Sequence, residues 1–440
     1  MSAGRMKIEP AAAILGHLAV PGDKSISHRA VLLGAISDGE TRIEGFGRSA
    51  DTEATIAAVR ALGVTVYEAD STTLRVFGKG LRGLQAPAEP IDCGNAGTLM
   101  RLLAGVLAGQ PGRFTLTGDE SLNSRPMERI AEPLRRLGVE VETTDGHAPL
   151  TITGGTVGST TYELPVASAQ VKSAILLAGL FGDGETTVVE PLPTRDHTES
   201  MLAAAGAKVR RRPGSVTVQP ADRLELGEVE VPGDFSSAAP FIVAGTLLAG
   251  SELTLHGLNL NPRRIGLLGV LERMGANITV FNRRRIAGEA AGDLDVRPAA
   301  LVGTDVSAKE VPALVDELPL FALLAAHAHG DSRLRGAEEL RAKETDRIEA
   351  VVEGLRRLGA HIRATDDGFV VRGVPARLRG GWMSSHGDHR IAMLAAIAGL
   401  VSREGVEIRD PESVTVSFPG FYELLDSIRL APSTGAPAPR

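Results

Sequence analysis

Cations, hydroxyls and amides recur at short spacing in this chain, each time beside an apolar run. The first group is Val20-Pro-Gly-Asp-Lys-Ser-Ile-Ser-His-Arg29, which sets Lys24, Ser25 and Arg29 ahead of a run ending at Ala35. The second is Asn95-Ala-Gly-Thr98 with Gly97 and Arg101, followed by Asn123-Ser-Arg-Pro126 with Arg125. The third is Ser168-Ala-Gln170 with Lys172, then Thr194-Arg-Asp-His197 with Arg195. Further on, Arg341-Ala-Lys-Glu-Thr-Asp-Arg347 holds Lys343, Glu344 and Arg347, and His386-Gly-Asp-His-Arg390 ends in Arg390. A helix start offers free N–H groups and a positive dipole end. With guanidinium forks and hydroxyls added, such starts describe cradles for phosphate and carboxylate. Asp316, Glu317 and Glu344 stand amid these cations and are candidates for proton transfer.

The elements that carry these groups repeat. The unit is a turn, an apolar helix, a short strand, an amphipathic helix ending at Gly, then one or two strands. Copies start near Pro21, Asp92, Leu164, Val231, Val311 and Ser384. The expected first helices include Ile26–Ala35, Asp316–His329 and Asp388–Leu400; the expected second helices include Pro126–Leu137, Arg263–Met274 and Thr345–Leu358. Gly63, Gly138, Gly206, Gly275 and Gly359 follow second helices and suit left-handed C-caps. The period of roughly 70–80 residues is too long for a solenoid unit. Three copies could instead close one domain around buried helices. Val231-Pro-Gly-Asp-Phe-Ser-Ser237 repeats the opening turn and marks the division into three plus three. The sixth copy lacks trailing strands, and the segment before Pro21 has strand-like pieces. The expected domains are therefore 22–232, and 1–21 with 233–430; 431–440 is expected to be a disordered tail. Two crossings between domains make a hinge, and a cleft beside it is where a ligand is expected.

The chain has 440 residues, 43% of them hydrophobic, and a net charge of −7, so any anion must be held by local cations. That balance argues against nucleic acid as a partner. Cys93 is the one cysteine, which excludes an intramolecular disulfide. No signal-like start is present, and no apolar run approaches the ~18–20 residues that span a bilayer. Lys24-Ser25 lacks the glycine spacing of a P-loop. His386, Asp388 and His389 have no second cluster to make a metal site, so none is assigned.

Together these motifs resemble the 5-enolpyruvylshikimate-3-phosphate synthases (3-phosphoshikimate 1-carboxyvinyltransferases). The likeness rests on Pro21 to Arg29, Gly94-Asn-Ala-Gly-Thr98, Ser124-Arg-Pro126, Ser168-Ala-Gln170, Lys343-Glu-Thr-Asp-Arg347 and Asp388-His-Arg390. It covers essentially all of the chain before the last ten or so residues. The resemblance implies an α/β (α+β) fold of two domains. Each would hold three βαβαββ repeats in a pseudo-threefold arrangement, an inside-out α/β barrel. It implies transfer of the enolpyruvyl group of phosphoenolpyruvate to the 5-hydroxyl of shikimate 3-phosphate. Phosphate is released through a tetrahedral intermediate, with no metal or organic cofactor.

The resemblance also distributes roles. Lys24 is expected to touch both substrates. Ser25, Arg29, Ser168, Arg195, Asp316 and Lys343 are expected at shikimate 3-phosphate. Gly97, Arg125, Arg347 and Arg390 are expected at phosphoenolpyruvate, with Gln170 between the two. Asp316 is the expected base for the 5-hydroxyl and Glu344 the expected acid for the methylene carbon, with Lys24 as its rival. The chain departs from many relatives at Leu102, Ala169 and Val416. A branch of the family shares the Ser-Ala-Gln-x-Lys and Thr-Arg-Asp-His patterns. The alternative is a UDP-N-acetylglucosamine enolpyruvyl transferase, but the loop from Asp119 to Ser124 lacks the cysteine that family carries. A cytoplasmic monomer with small-molecule substrates and no membrane partner is the expected setting.

Overall fold

The computed structural model describes residues 4–286 and 288–431. Apart from Ala431, the expected disordered tail lies outside the described residues. The chain separates into two compact units. Unit 1 comprises residues 1–20, 233–284 and 291–440; unit 2 comprises 21–232 and 285–290. The short piece 285–290, at the turn of a hairpin, was not anticipated from the sequence.

Each unit holds three repeats of strand, helix, strand, helix and hairpin, except that the sixth repeat ends in the helix Phe421–Ile428 and the short strand Arg429–Leu430 without a hairpin. The second repeat shows the pattern in full: Ile91–Asp92, Gly97–Leu107, Gly112–Thr117, Glu128–Arg136, Glu140–Thr144 and His147–Gly154. Its strands form one sheet, in which Ile91–Asp92 lies parallel to Gly112–Thr117 and the others are antiparallel. The first helices are the core. All residues of His389–Leu400 are buried, as are nearly all of Phe235–Leu247. A helix apolar all round can only be central. In unit 1 the helices Phe235–Leu247, Leu318–His327 and His389–Leu400 each touch the other two. The strands alternate instead: Thr41 and Ile43 are buried within Glu40–Glu44 while their neighbours face solvent. Helices therefore lie inside and sheets outside in each unit.

Glycine ends the second helices as the pattern requires. Gly63, Gly138, Gly206, Gly275 and Gly359 all have positive φ, between 82° and 99°. The next residue closes the turn in every case, as in Val64 N to Val59 O at 3.0 Å and Ala360 N to Leu355 O at 3.0 Å. This is the six-to-one bond of a Schellman end.

Several helix starts differ from the expected ones. The fifth repeat's first helix begins at Leu318 rather than Asp316, because Pro319 is tolerated only in a first turn. Asp316 stands in the preceding turn. The following helix begins at Arg347 rather than Thr345, because Asp346 caps it and accepts from the N–H groups of Ile348 and Glu349 at 3.1 Å. Two other helices are shorter than expected, Glu128–Arg136 and Gly266–Arg273.

Strands cross over between distant repeats. Glu228–Glu230 precedes the second Val-Pro-Gly-Asp and pairs in parallel with Glu40–Glu44. Ala13–Ala19 precedes the first and pairs in parallel with Glu252–Asn259. Arg5–Ile8 pairs antiparallel with Val406–Arg409 in the sixth repeat. Among the described residues, no helix is long and apolar enough to cross a membrane.

Candidate active site

In unit 2 the polar residues collect at the starts of the first helices. Asp23 caps the helix Lys24–Ala35, accepting from Ile26 N, and so fixes the direction in which Lys24 and Ser25 leave the turn. The Lys24 ammonium lies 2.6 Å from Asp51 Oδ2, with Asp51 itself buried at the start of the second helix. Arg29 lies on the same helix and is held on all three nitrogens. Its Nε donates to Thr198 Oγ1 (2.7 Å), Nη2 to Ser173 Oγ (3.0 Å) and Nη1 to Ser25 O (2.9 Å). Burial lowers its pKa to about 10, against the pull of Glu199 and Asp23; nearby Arg195 lowers it further. At that value Arg29 remains a cation at neutral pH.

The second and third repeats meet through Gln170. Arg101 Nη1 donates to Gln170 Oε1 at 2.6 Å, and Gln170 Nε2 donates to Thr98 Oγ1 at 2.9 Å. Arg125 donates to Asn95 Oδ1 (2.7 Å) and Ser121 Oγ (3.2 Å). A Cβ on Gly97 would stand 2.9 Å from Arg101 Nη1 and 3.3 Å from Arg125 Nη1. Two guanidiniums thus converge on Gly97, and a side chain there would have to displace them. Ser168 caps the helix Ala169–Gly179, accepting from Val171 N at 3.4 Å. Cys93 is fully buried, and burial pushes its thiol pKa up, as suits a small core residue rather than a nucleophile.

In unit 1 the centre is Arg347. Its Nε donates to Asp388 Oδ2 (2.8 Å), its Nη2 to Glu344 Oε2 (2.7 Å) and its Nη1 reaches Asp316 Oδ1 (3.5 Å). Burial works against its charge, but Asp388, Glu344 and Asp316 together raise its pKa above the ordinary guanidinium range. Asp388 is fully buried, whereas Asp316 and Glu344 each keep 19% of their side chains exposed. Those two can therefore meet a ligand while Asp388 anchors the arginine. Lys343 pairs with Glu339 at 3.5 Å, and Arg390 donates to Ser236 O at 3.1 Å.

Glu317 differs from the expectation placed on it. It is 1% exposed, 3.1 Å from Arg264 Nη1 and hydrogen-bonded to Ser236. A carboxylate so enclosed and paired is structural, not a proton carrier for a ligand. Arg264 also reaches Asp234 at 3.3 Å and Asp316 at 4.0 Å. Arg264, Asp51 and Asp388 were not assigned roles from the sequence, although Arg264 had a signal. In other repeats the segment entering the second helix supplies Arg125, Arg195 and Arg347; the same segment of the fourth repeat holds Arg264.

The profile of the family EPSP synthase (3-phosphoshikimate 1-carboxyvinyltransferase) matches residues 8–425. A 3-phosphoshikimate 1-carboxyvinyltransferase of Acidithiobacillus ferrooxidans is 50% identical over 420 residues, covering 96% of each chain. The EPSP synthase of Acinetobacter baumannii superposes with a TM-score of 0.87 at 41% identity, covering 98% of this chain and 99% of the other. The enolpyruvyl transferase NikO of Streptomyces tendae, at 20% identity, 97% and 98% coverage and a TM-score of 0.78, shares the fold. With its motifs in order along nearly the whole length, the chain belongs to the EPSP synthase (3-phosphoshikimate 1-carboxyvinyltransferase) family.

Proposed function

We propose a division of labour among these residues for the family's reaction. In that reaction the enolpyruvyl group of phosphoenolpyruvate passes to the 5-hydroxyl of shikimate 3-phosphate and phosphate is released. The observation that carries the assignment is the Arg347 cluster, where two carboxylates that keep some access to solvent share one buried guanidinium. Asp316 takes the proton of the 5-hydroxyl as its oxygen bonds to the substituted carbon of phosphoenolpyruvate. Glu344 delivers a proton to the methylene carbon, completing the tetrahedral intermediate; Lys24 is the alternative donor. The methyl carbon then returns a proton as the C–O bond to phosphate breaks. Both carboxylates are held against the same buried guanidinium and keep access to solvent, so each can exchange protons with a bound ligand.

The remaining assignments concern binding. Arg125, Arg347 and Arg390 take the phosphate and carboxylate of phosphoenolpyruvate, with Gly97 leaving space. Ser25, Arg29, Ser168, Arg195 and Lys343 take shikimate 3-phosphate, and Lys24 and Gln170 contact both. Every binding group is a guanidinium, ammonium, hydroxyl or amide, as two polyanions require. The protein works as a monomer in the cytoplasm. The deciding experiment follows phosphate release from phosphoenolpyruvate with shikimate 3-phosphate or a UDP-amino sugar as acceptor. Turnover with the first acceptor is expected, and turnover with the sugar alone would overturn the assignment. Light scattering at working concentration checks the monomer, and a mass of two or more chains would refute it.

A further inference from the structure

Beneath the segment carrying Arg195 lies a buried charge network that the binding assignments leave unused. Lys172 is fully buried, with its ammonium 3.0 Å from Glu190 Oε2 and 2.7 Å from Glu199 Oε1. Glu190 Oε2 also accepts from Thr194 N at 3.0 Å and from the Thr194 hydroxyl. One carboxylate oxygen thus receives the ammonium, a backbone N–H and a hydroxyl. Ser173, next to Lys172, shares Thr198 with Arg29: the two hydroxyls lie 2.7 Å apart. At the same segment's end, buried His197 meets Glu289 Oε1 at 2.8 Å.

This wiring joins two sequence patterns. Ser168, Gln170 and Lys172 come from one helix start, and Thr194 to His197 come from the segment entering the next helix. Lys172 lies one turn beyond Ser168, so the residue that caps the helix and the residue that anchors Glu190 share a rigid element. Glu190 in turn fixes Thr194, the neighbour of Arg195. Enclosing two carboxylates and an ammonium away from water costs more than an apolar core of similar volume would. Such a network stabilises little in itself; what it supplies is a fixed geometry.

We propose that Lys172 and Glu190 are positioning residues that hold Thr194, and through it Arg195, in register with Ser168 as one phosphate cradle. This rests on the assignment of Ser168 and Arg195 to the phosphate of shikimate 3-phosphate. Neither Lys172 nor Glu190 touches substrate. Their effect is to remove the freedom of the segment before binding, so less ordering is needed when the phosphate arrives.

The test uses Thr194→Val in the full chain, with Thr194→Ser as the conservative partner and Lys172→Met as the harsher change. Lys172→Met leaves two buried carboxylates without their cation and is expected to unfold much of the protein. Thr194→Val removes one hydroxyl and leaves the ion pairs in place. Its expected effect is a rise of about tenfold in KM for shikimate 3-phosphate, the scale of one charge-assisted hydrogen bond. KM for phosphoenolpyruvate and kcat should stay within about twofold, and Thr194→Ser should restore the wild-type KM. Calorimetric titration with shikimate and with shikimate 3-phosphate adds a second readout: the variant should lose affinity only for the phosphorylated form. A purely structural role would lower the active fraction and leave both KM values unchanged, which would overturn the proposal. If the wild type itself failed to prefer the phosphorylated form, the underlying phosphate assignment would fall instead.

Discussion

Arg347 serves three carboxylates with one planar group, and the exposures of those partners separate their work. Asp388 has no access to solvent and holds the arginine; Asp316 and Glu344 retain access and can carry protons. Asp316→Ala should therefore keep substrate binding, measured by calorimetry, and lose about 10²–10⁴ in kcat, the usual range for a general base. Near-normal turnover would remove Asp316 from the mechanism. A second residue makes stability depend on pH. His28 is fully buried with Nδ1 2.6 Å from Thr55 Oγ1. Burial, then the charges of Lys24 and Arg29, push its pKa well below the ordinary histidine value. The folded protein holds it neutral while the unfolded chain takes up a proton as pH falls through about 6.5. Stability is thus fully present above that pH and declines below it, by up to about 1.4 kcal/mol per pH unit. Urea unfolding between pH 7.5 and 5.5 should show this decline, and His28→Gln should flatten it. An unchanged slope in the variant would place the acid sensitivity elsewhere.

At the scale of elements, the first helices carry the core, and the groups assigned to binding stand at their starts and in the segments entering the second helices. Beyond their first turns these helices pack against neighbouring helices. Gly105 shows how tightly: a Cβ there would lie 2.2 Å from the carbonyl oxygen of Ala174, on the helix Ala169–Gly179. Alanine in place of a helical glycine ordinarily gains about 0.5–1 kcal/mol. Here the added carbon meets backbone, which cannot rotate aside, and overpacking costs about 1–3 kcal/mol. The clash wins, so Gly105→Ala should lower the denaturation midpoint. Because the displaced helix begins with Ser168 and Gln170, KM for shikimate 3-phosphate should rise as well. A more stable variant would show that the helices separate freely.

Within each unit, strands leave their own repeat to join the sheet of another. Ala13–Ala19 is an inner strand of the sheet that also holds Glu252–Asn259, Glu289–Arg297, Asn277–Ile286 and Arg429–Leu430. Arg5–Ile8 forms the outer strand beside Val406–Arg409. A fragment of residues 233–440 would lack both and leave hydrogen-bonding edges and apolar faces uncovered. Circular dichroism and amide exchange should find that fragment poorly ordered, and a peptide of residues 1–20 added in trans should restore protection. A fragment that folds fully alone would contradict the strand exchange as a requirement.

Much of this was legible in the chain itself because it depends on local chemistry. Glycine after a helix and the Val-Pro-Gly-Asp turn act within a few residues. Their recurrence exposed the six-fold repetition and its division at Val231. The cations at helix starts were legible for the same reason. Partner choice was not, because it depends on which distant helix ends are brought within a few ångströms. Sequence proximity did not show that Lys24 would pair with Asp51, Arg101 with Gln170, or Arg347 with Asp388. It made adjacent Asp316 and Glu317 look equivalent, but folding buries Glu317 against Arg264 and leaves Asp316 beside Arg347 with solvent access. The amino-acid sequence by itself determined the repeating elements and the supply of charge. The tertiary structure decided which charges are neutralised in the interior and which remain available for chemistry, since burial and ion pairing are set by the approach of elements far apart in the chain.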